Sequence, residues 1–538
     1  MQVLELLLFI IPTYILSLSI YGYGYAFKNI FLKVEEENVA IIGFYGVFLI
    51  LVISYLTNIF FKHGEIHNLI LFAVGIICLF GSKKFKNTLK INLIIFLFAI
   101  GFLIFKNHDD FSYYHFPYIL NLIEDKLVIG IGHLNHGFRT PSSIFYLQSL
   151  TYLPHIEFYY LNFFMLFFLA TVNLYFIYDI NIKLYQEKFK PVILFNLISL
   201  LFINVKFYRL SEYGTDLVGQ ILLFVITSRL IYFISEKSVK KNNIYSILIL
   251  TFFLITLKSY FILYLLILLI VLFHILKKEN FAFVKKLLNF KLFLILFTLL
   301  IVHFKTNFFN TGCILYPISQ TCFESFSWAV PKSSADAMSL WYEQWSKAGA
   351  NPNYRVENPE IYVKNFNWLP NWIDSYFFNK VSDYLLSLAV LSLFFWVIFY
   401  KKDENSKEKF HYKSVLLIYL IIFLEWFFNH PALRYGGYCL VALLLFLPCS
   451  LFFRITEVKQ KLFSKKILIL IIITTLIFIT RNIQRIDKEI KLYGYKPFSN
   501  TFYRLDENYF RIQKEIDDII INKTDDFVIK YWKIIFVK

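Results

Sequence analysis

The sequence predicts an all-α polytopic membrane protein with about fourteen transmembrane helices. Hydrophobic residues make up 58% of the 538 residues and charged residues only 17%, whereas soluble domains carry roughly 25% charged residues. Apolar runs of about 15–20 residues recur along most of the chain, which is the length that spans a bilayer as a helix. The apolar positions are continuous rather than alternating, so a transmembrane β-barrel is not expected.

The predicted spans follow from these runs. They lie near residues 3–22, 39–60, 68–82, 90–106, 156–178, 191–205, 217–234, 243–257, 259–276, 291–305, 382–400, 414–429, 437–453 and 467–480. The third span is short, and the pair on either side of Lys258 is short enough to form a hairpin that does not fully cross. No phosphate loop and no glycine-rich dinucleotide fingerprint interrupts them.

Basic residues in alternate short loops predict the orientation. The loops at 83–90, 183–190, 237–241, 277–291, 401–413 and 454–466 are rich in lysine and are assigned to the cytoplasm, whereas 107–155, 206–216, Lys258, 306–381 and 430–436 are assigned to the outside. Two segments break the rule, because Glu35, Glu36 and Glu37 fall inside and Arg481 and Arg485 fall outside. The net charge of +17 is explained by this topology, so no nucleic-acid partner is expected, and the chain is assigned to the inner (cytoplasmic) membrane.

The same reasoning divides the chain into five parts. They are N-terminal transmembrane helices at 1–89, a transmembrane core at 90–305 with its first outer loop at 107–155, an outer loop at 306–381, C-terminal transmembrane helices at 382–480, and an outer tail at 481–538 expected to be a small α or α/β appendage. The outer loop contains Cys313 and Cys322 in the short segment 311–322, where a Gly and a Pro favour a turn. A disulfide there fits an oxidising compartment, although two unpaired thiols remain the alternative.

The most unusual stretch is 108–118, where Asp109 and Asp110 directly follow the apolar run 91–105. Charge this close to hydrocarbon is costly and points to function; the alternatives are interfacial charge or a helix N-cap. Further along the first outer loop, 111–127 is predicted to be an amphipathic helix, 133–139 an ordered turn, and Pro141 the start of a second short helix. Such helices are expected to lie along the membrane surface.

The other outer loops also hold polar candidates. Glu212 and Asp216 lie in the second, with Arg209, although Asp216 can equally cap the next helix. The third holds Trp328, Trp341, Trp345, Trp368 and Trp372, which suit either an interfacial aromatic belt or sugar stacking. The fourth contains His430 and Arg434; a guanidinium so near two spans either binds a phosphate or extends to the interface.

In architecture, residues 90–305 resemble the GT-C superfamily of membrane glycosyltransferases. The resemblance rests on a span followed by a long outer loop that opens with an acidic pair and contains short helices, and on a short acidic outer loop two spans later. Three extra spans precede the matching region, which departs from the usual start of that superfamily. The segments 311–322 and 430–437 also resemble uncharacterised bacterial multi-pass proteins, a match that names no activity.

The GT-C resemblance implies transfer of a sugar from a polyprenyl-phosphate donor, held in the membrane lipid, to a cell-envelope glycan or lipid acceptor on the outer face. It implies Asp110 as the base, Asp109 as its backup, and Glu212 or Asp216 as a second acid or metal ligand. The expected phosphate partners are Arg434, Lys258, Arg209 and Arg139. His115, His133 and His136 are candidates to orient the acceptor or bind metal, and Tyr114 and His430 are further substrate-binding candidates. No metal site is assigned, and a divalent metal is the one cofactor left open.

Two other functions fit many spans and a large outer loop. One is an O-antigen or polysaccharide polymerase, and the other is a non-enzymatic flippase or transporter of lipid-linked sugars. A transporter should place ionisable residues at the middle of its spans. Here the middles are almost uniformly apolar, with Glu425 and Lys258 as the main exceptions, which favours a reaction at the surface.

Overall fold

The computed structural model describes residues 2–36, 38–185, 190–236, 238–279, 281–287, 289–351, 354–399, 412–452 and 460–498. Within these ranges the regular elements are helices, and two isolated β-bridges lie in the loops. The α-helices are α1 (Gln2–Phe27), α2 (Val39–Asn58), α3 (Glu65–Gly81), α4 (Phe85–Phe98), α5 (Phe116–Glu124), α6 (Ser143–Ser149), α7 (Phe163–Tyr185), α8 (Lys190–Lys206), α9 (Asp216–Ser235), α10 (Lys241–Leu257), α11 (Leu266–Lys278), α12 (Phe281–Leu287), α13 (Phe290–Thr311), α14 (Lys332–Lys347), α15 (Pro359–Val363), α16 (Leu369–Trp372), α17 (Ser382–Phe399), α18 (Lys413–Asn429), α19 (Tyr438–Phe452) and α20 (Gln460–Tyr493). Most of the predicted tail appendage, 499–538, lies outside the described residues.

The chain is a membrane protein whose described part is all-helical. Eight helical segments of the described chain are long and apolar enough to cross a bilayer: Val39–Asn58, Phe158–Leu184, Asp216–Ser235, Ser259–Lys278, Phe290–Thr311, Leu369–Phe399, Leu433–Ser450 and Ser464–Tyr493. Four shorter apolar helices accompany them, at Glu65–Gly81, Asn92–Leu103, Pro191–Lys206 and Lys241–Leu257. Each of these twelve segments coincides with a predicted span.

Burial separates central helices from peripheral ones. Nearly every side chain of α9 is buried, as expected for a helix surrounded by others. By contrast, α3 exposes Ile66, Ile70 and Ile77, each by more than half of its surface. A continuous apolar face of this kind is unfavourable in water and suits contact with lipid chains.

The segments assigned to the outside gather at one end of the bundle. We call this the loop end, and define it by residues 104–162, 206–216, 258–260, 306–351, 354–378 and 430–437. Backbone hydrogen bonds join the first loop to the ends of two helices, from Leu127 N–H to the Asn58 carbonyl (2.8 Å) and from Gly130 N–H to the Phe309 carbonyl (2.7 Å). The hydroxyl of Ser346 accepts from the Ala432 N–H (3.0 Å), which joins the third outer loop to the fourth.

One residue of each exception to the charge rule, Glu36 and Arg485, is held in ion pairs. At the opposite end of the bundle, Glu36 pairs with Arg229 of α9, and both side chains are almost fully buried. A cavity of about 410 Å³ adjoins this pair. At the loop end, Arg485 of α20 pairs with Glu212 and with Glu489 (2.8 Å). A paired charge contributes little net charge to its side of the membrane, so Glu36 and Arg485 do not argue against the predicted orientation.

The buried Glu36–Arg229 pair gives the first testable expectation. Arg229→Met should lower the free energy of unfolding by about 3–5 kcal/mol, because it leaves the Glu36 carboxylate buried and uncompensated. The matched control is Lys491→Met, which removes a partner of Asp487 where both side chains are more than 60% exposed and should cost at most about 1 kcal/mol. Thermal unfolding in detergent measures both, and equal shifts for the two variants would contradict the expectation.

The two short helices predicted in the first outer loop are present in the structure, but they are buried inside the protein. The predicted helix 111–127 is a π-helical turn at Phe111–His115 followed by α5, with Pro117 in the first turn of α5. The predicted second helix is α6, which Ser142 caps by accepting from the Ile144 N–H. Eight of the nine residues of α5 and all of α6 are buried. Neither helix therefore offers the exposed face expected of a helix that lies along the membrane surface, because α6 packs against α5, α2 and α7.

The third outer loop contains a disulfide between Cys313 and Cys322. The two cysteines are bridged across a short antiparallel contact and form a small core of their own with Tyr316, Val330 and Ala335. Non-reduced peptide mass spectrometry should recover this pair as one cross-linked species, whereas the thiols of Cys78 and Cys439 should alkylate without reduction after unfolding. Alkylation of Cys313 and Cys322 before reduction would contradict both the bridge and the oxidising compartment.

Candidate functional site

Asp110 is positioned by an irregular segment, 104–110, whose backbone is held by distant side chains. The Glu489 carboxylate of α20 accepts from the N–H groups of Phe105 (2.9 Å) and Lys106 (3.1 Å). The Asp110 N–H donates to Nδ1 of His108 (3.0 Å). Non-helical backbone near a membrane needs such partners, so the acid-bearing segment has a defined conformation.

Arg434 is positioned in the same manner by the segment 430–437. The Trp372 indole donates to the Pro431 carbonyl (3.1 Å), and the Leu433 N–H donates to the Tyr376 hydroxyl (2.9 Å). Gly436 has φ of +81°, a conformation that side chains disfavour, and it lets the chain enter α19 directly after Arg434. The side chains of the third outer loop thus fix the guanidinium at the loop end.

Two further charges come from helix ends. Asp216 is the first residue of α9, and its side chain is only 5% exposed. Lys258 lies in extended backbone between α10 and the 3₁₀ segment Ser259–Leu265. Its Nζ is 3.5 Å from Oδ1 of Asp216, so a buried carboxylate anchors this lysine.

These residues form one chain of alternating charges, which we call the charge cluster: Asp110, Arg434, Asp216 and Lys258. Nη2 of Arg434 is 3.3 Å from Oδ2 of Asp110, and its Nε is 3.4 Å from Oδ2 of Asp216. Asp110 and Arg434 keep about a third of their side-chain surface exposed, whereas Asp216 is buried. The exposed members can therefore meet a substrate, while Asp216 and Lys258 lie behind them.

Two histidines flank Asp110. Nδ1 of His108 is 3.6 Å from Oδ2 of Asp110, and the rings of His108 and His115 stack with centroids 5.1 Å apart. Burial lowers the pKa of His108, and the Arg434 cation lowers it further, against the opposite effect of Asp216 and Asp110. Burial also holds the pKa of His115 well below its usual range. The neutral form of each imidazole is thus favoured; the lone pair of His108 Nδ1 accepts from the Asp110 N–H, whereas Nε2 of His115 has no partner among the described residues.

Aromatic rings border the charge cluster. Trp345 of α14 lies beside Arg434, with its ring 5.6 Å from the guanidinium carbon, and its centroid is 5.3 Å from that of Tyr435. Tyr114 packs edge-on against His115 at 4.4 Å. A half-exposed tryptophan next to charged groups can stack on a sugar face. By contrast, Trp368 and Trp372 are buried and belong to the core.

Three polar atoms near the charge cluster are buried without a hydrogen-bond partner among the described residues. They are Nε2 of His115, Oε1 of Gln220 and the hydroxyl of Tyr260. Gln220 lies one turn after Asp216 and donates its amide to the Arg434 carbonyl (3.3 Å). Buried polar atoms without a partner are costly, and these three border the same group of charges, although others are spread through the described helices.

Other candidates from the sequence lie elsewhere. Glu212 pairs with Arg209 (3.2 Å) and Arg485, so it belongs to a separate ion-pair group with α20. Arg139 is buried and donates to the Gly132 carbonyl (2.8 Å) and the Tyr316 hydroxyl (3.2 Å), which ties the first outer loop to the disulfide core. Asp109 is exposed and makes no ion pair with any described residue.

The remaining candidates are histidines of the outer loops. His136 is exposed, and Nε2 of His133 lies 3.0 Å from the Trp328 carbonyl. His430 is half-buried, with its ring 6.1 Å from that of Tyr435. His430 therefore borders the aromatic side of the site, whereas His133 holds the first outer loop against the third.

Among the described residues, one group has the composition and spacing of a metal site. His108, Asp110 and His115 offer ligand atoms that all lie within 4.8 Å of one another. Of these, His108 received no role from the sequence, although it stands two residues before Asp110. The signal that could have found it is the spacing of His108, Asp110 and His115 within one short loop segment.

The chain belongs to the family described as Domain of unknown function (DUF8201), whose profile matches residues 6–441. The matched range includes the whole charge cluster and both histidines. No curated protein and no solved structure matches the chain significantly.

Proposed function

We propose that this member of the DUF8201 family is a membrane glycosyltransferase that moves a sugar from a polyprenyl-phosphate donor to an envelope glycan or lipid acceptor. The observation that carries the proposal is the charge cluster, in which a partly exposed carboxylate, Asp110, lies 3.3 Å from a partly exposed guanidinium, Arg434. An acid next to a cation at the end of a membrane bundle suits a reaction that takes a proton from one group and stabilises a phosphate on another.

In the proposed step, the acceptor oxygen attacks the anomeric carbon of the donor sugar. The bond between that carbon and the phosphate oxygen breaks, and its electron pair leaves with the polyprenyl phosphate. The acceptor proton passes to the Asp110 carboxylate, so atoms and charge balance. Arg434 and Lys258 stabilise the departing phosphate, since charge complementarity to a leaving group is usually a large contribution to catalysis.

The two aspartates of the charge cluster differ in burial, and we assign them different roles for that reason. Asp216 is 5% exposed and contacts both cations, at 3.4 Å from Arg434 and 3.5 Å from Lys258. A buried carboxylate between two cations suits positioning rather than proton transfer with a substrate. Trp345, beside Arg434, supplies an apolar ring for the sugar.

The proposal includes a topology. We assign fourteen crossings, by adding α1 and α18 to the twelve apolar segments, with the loop end outside and the bundle in the inner (cytoplasmic) membrane. Helices α1 and α18 match the predicted spans at 3–22 and 414–429. Accessibility of single cysteines to a membrane-impermeant maleimide tests it, because positions at the loop end should react from outside and positions near Lys240 should not.

Glycan analysis of a strain that lacks the gene tests the activity. We expect loss of one sugar from an envelope glycan, with recovery from the wild-type gene and none from a gene encoding Asp110→Asn. Unchanged composition with altered chain length would instead identify a polymerase. Accumulation of complete lipid-linked sugar on the cytoplasmic leaflet would identify a flippase, and an unaltered glycan profile would overturn all three.

A further inference from the structure

The first outer loop brings two imidazoles and one carboxylate to a single point. His108, Asp110 and His115 come from eight consecutive residues, and their ligand atoms lie within 4.8 Å of one another. The π-helical turn explains this convergence, since the N–H groups of Tyr114 (3.1 Å) and His115 (3.3 Å) both donate to the Asp110 carbonyl and so wind His115 back toward Asp110.

A second observation points to a ligand for these residues. His115 is only 4% exposed, and its Nε2 is buried without a hydrogen-bond partner among the described residues. Leaving such a nitrogen unsatisfied is unfavourable, because it has lost its hydrogen bond to water. A bound cation would remove this cost, because an unprotonated imidazole nitrogen is a metal ligand.

The surrounding backbone holds both rings in place. Gly214, with φ of +51°, lies against them so closely that a Cβ there would be 2.8 Å from Cε1 of His115 and 3.0 Å from Cγ of His108. Only glycine fits both that conformation and that space. The second outer loop thus fixes the two imidazoles, as a preformed ligand set requires.

We infer that His108, Asp110 and His115 bind one divalent transition-metal ion of the zinc class, through one nitrogen of each imidazole and one oxygen of the carboxylate. Two nitrogen ligands select against Mg²⁺ and Ca²⁺, which prefer oxygen. Three protein ligands leave a position open, as in catalytic rather than structural zinc sites. Bonds of about 2.0–2.2 Å require the ligand atoms to approach by roughly a further 1 Å, a side-chain movement.

Arg434 competes with the ion for the same groups. Its Nη2 lies 3.3 Å from Oδ2 of Asp110 and 3.3 Å from Nε2 of His108. Ion binding therefore requires the guanidinium to give up these two contacts and keep its contact with Asp216. It also requires Nδ1 of His108 to release the Asp110 N–H. The site would then hold an excess of positive charge that suits a phosphate, so the inference adds a cofactor to the proposed transferase and rests on the proposed function for its purpose.

Metal content tests the inference without any turnover assay. The metal inference can therefore fail while the transferase proposal stands, and the transferase proposal can fail while the metal inference stands. Full-length protein in detergent is stripped with a chelator, dialysed against Zn²⁺, Mn²⁺ or Mg²⁺, and analysed by elemental mass spectrometry. We expect about one Zn²⁺ per chain in the wild type and less than about 0.2 in His115→Ala and in His108→Gln. The matched control is His155→Ala, an exposed histidine of the same loop, which should retain the ion.

Two further measurements make the result decisive. Arg434→Ala should bind the ion at least as tightly as the wild type, because it removes a competing cation. Loss of the ion in this variant would contradict the inference that Arg434 competes with the ion. Co²⁺-loaded wild type should show visible absorption that is absent from His115→Ala. Binding below about 0.2 ions per chain in the wild type, equal binding in His115→Ala, or binding of Mg²⁺ alone would each overturn the inference.

Discussion

Asp110→Asn is expected to lower the rate of sugar transfer by about 10²–10⁴-fold, the usual contribution of a general base. The substitution keeps the size of the side chain but removes the group that accepts the proton. Asp110 is 36% exposed, so little buried structure depends on it, and thermal unfolding should shift much less than the rate. Radiolabelled sugar transfer by purified protein in lipid vesicles, at matched protein amounts, measures the loss.

Three companion variants locate the cause of that loss. Asp110→Glu keeps a carboxylate and should retain more activity than Asp110→Asn. Asp487→Asn, on the exposed part of α20, should leave the rate within about twofold. An equal loss in Asp109→Asn would move the base to the neighbouring residue, and undiminished transfer by Asp110→Asn would remove the assignment. If Asp110→Asn keeps its metal ion, the loss of activity reflects the missing base. If the ion is lost as well, the variant has also lost a metal ligand.

Much of this arrangement could be predicted from the sequence. Apolar runs gave twelve helices in the right places because each span satisfies its own backbone hydrogen bonds and must be apolar all round or on one face. Alternating lysine-rich loops predicted which segments share one end, and the contact of Asp110 with Arg434 joins two of them. Four charged residues that were candidates from the sequence, Asp110, Asp216, Lys258 and Arg434, lie together in the structure.

What the sequence could not provide is which charges pair across distant segments. Glu212 was as good a candidate as Asp216, since both lie in one short loop. The structure places Glu212 against Arg485 of the last helix and Asp216 against Lys258 and Arg434. That difference depends on how α20 packs against the second outer loop, and hydropathy carries no information about neighbours in the bundle. The same limit applies to the burial of α5, whose partners include Asn310 of α13, which donates to the Tyr118 hydroxyl (3.1 Å).

Arg434→Ala is expected to raise the donor KM, to lower turnover, or both, with a combined loss in kcat/KM of roughly 10²–10³-fold. The guanidinium is the partly exposed cation of the charge cluster, and it is also the group that bridges Asp110 and Asp216. Its removal takes away a charge-assisted contact to the phosphate and leaves Lys258 as the remaining cation beside Asp216. Donor titration at saturating acceptor measures both constants.

The choice of replacement distinguishes charge from geometry. Arg434→Lys keeps the charge but cannot contact two groups through a planar fork, so it should recover only part of the loss. Arg355→Ala serves as the control, because Arg355 is an exposed arginine of the third outer loop that lies over Trp341, 4.2 Å from the ring centre. If the kinetics of Arg434→Ala and Arg355→Ala both equal those of the wild type, Arg434 does not bind the donor phosphate. Full recovery in Arg434→Lys would instead mean that a single point charge is sufficient, and that the fork geometry serves only to join the two aspartates.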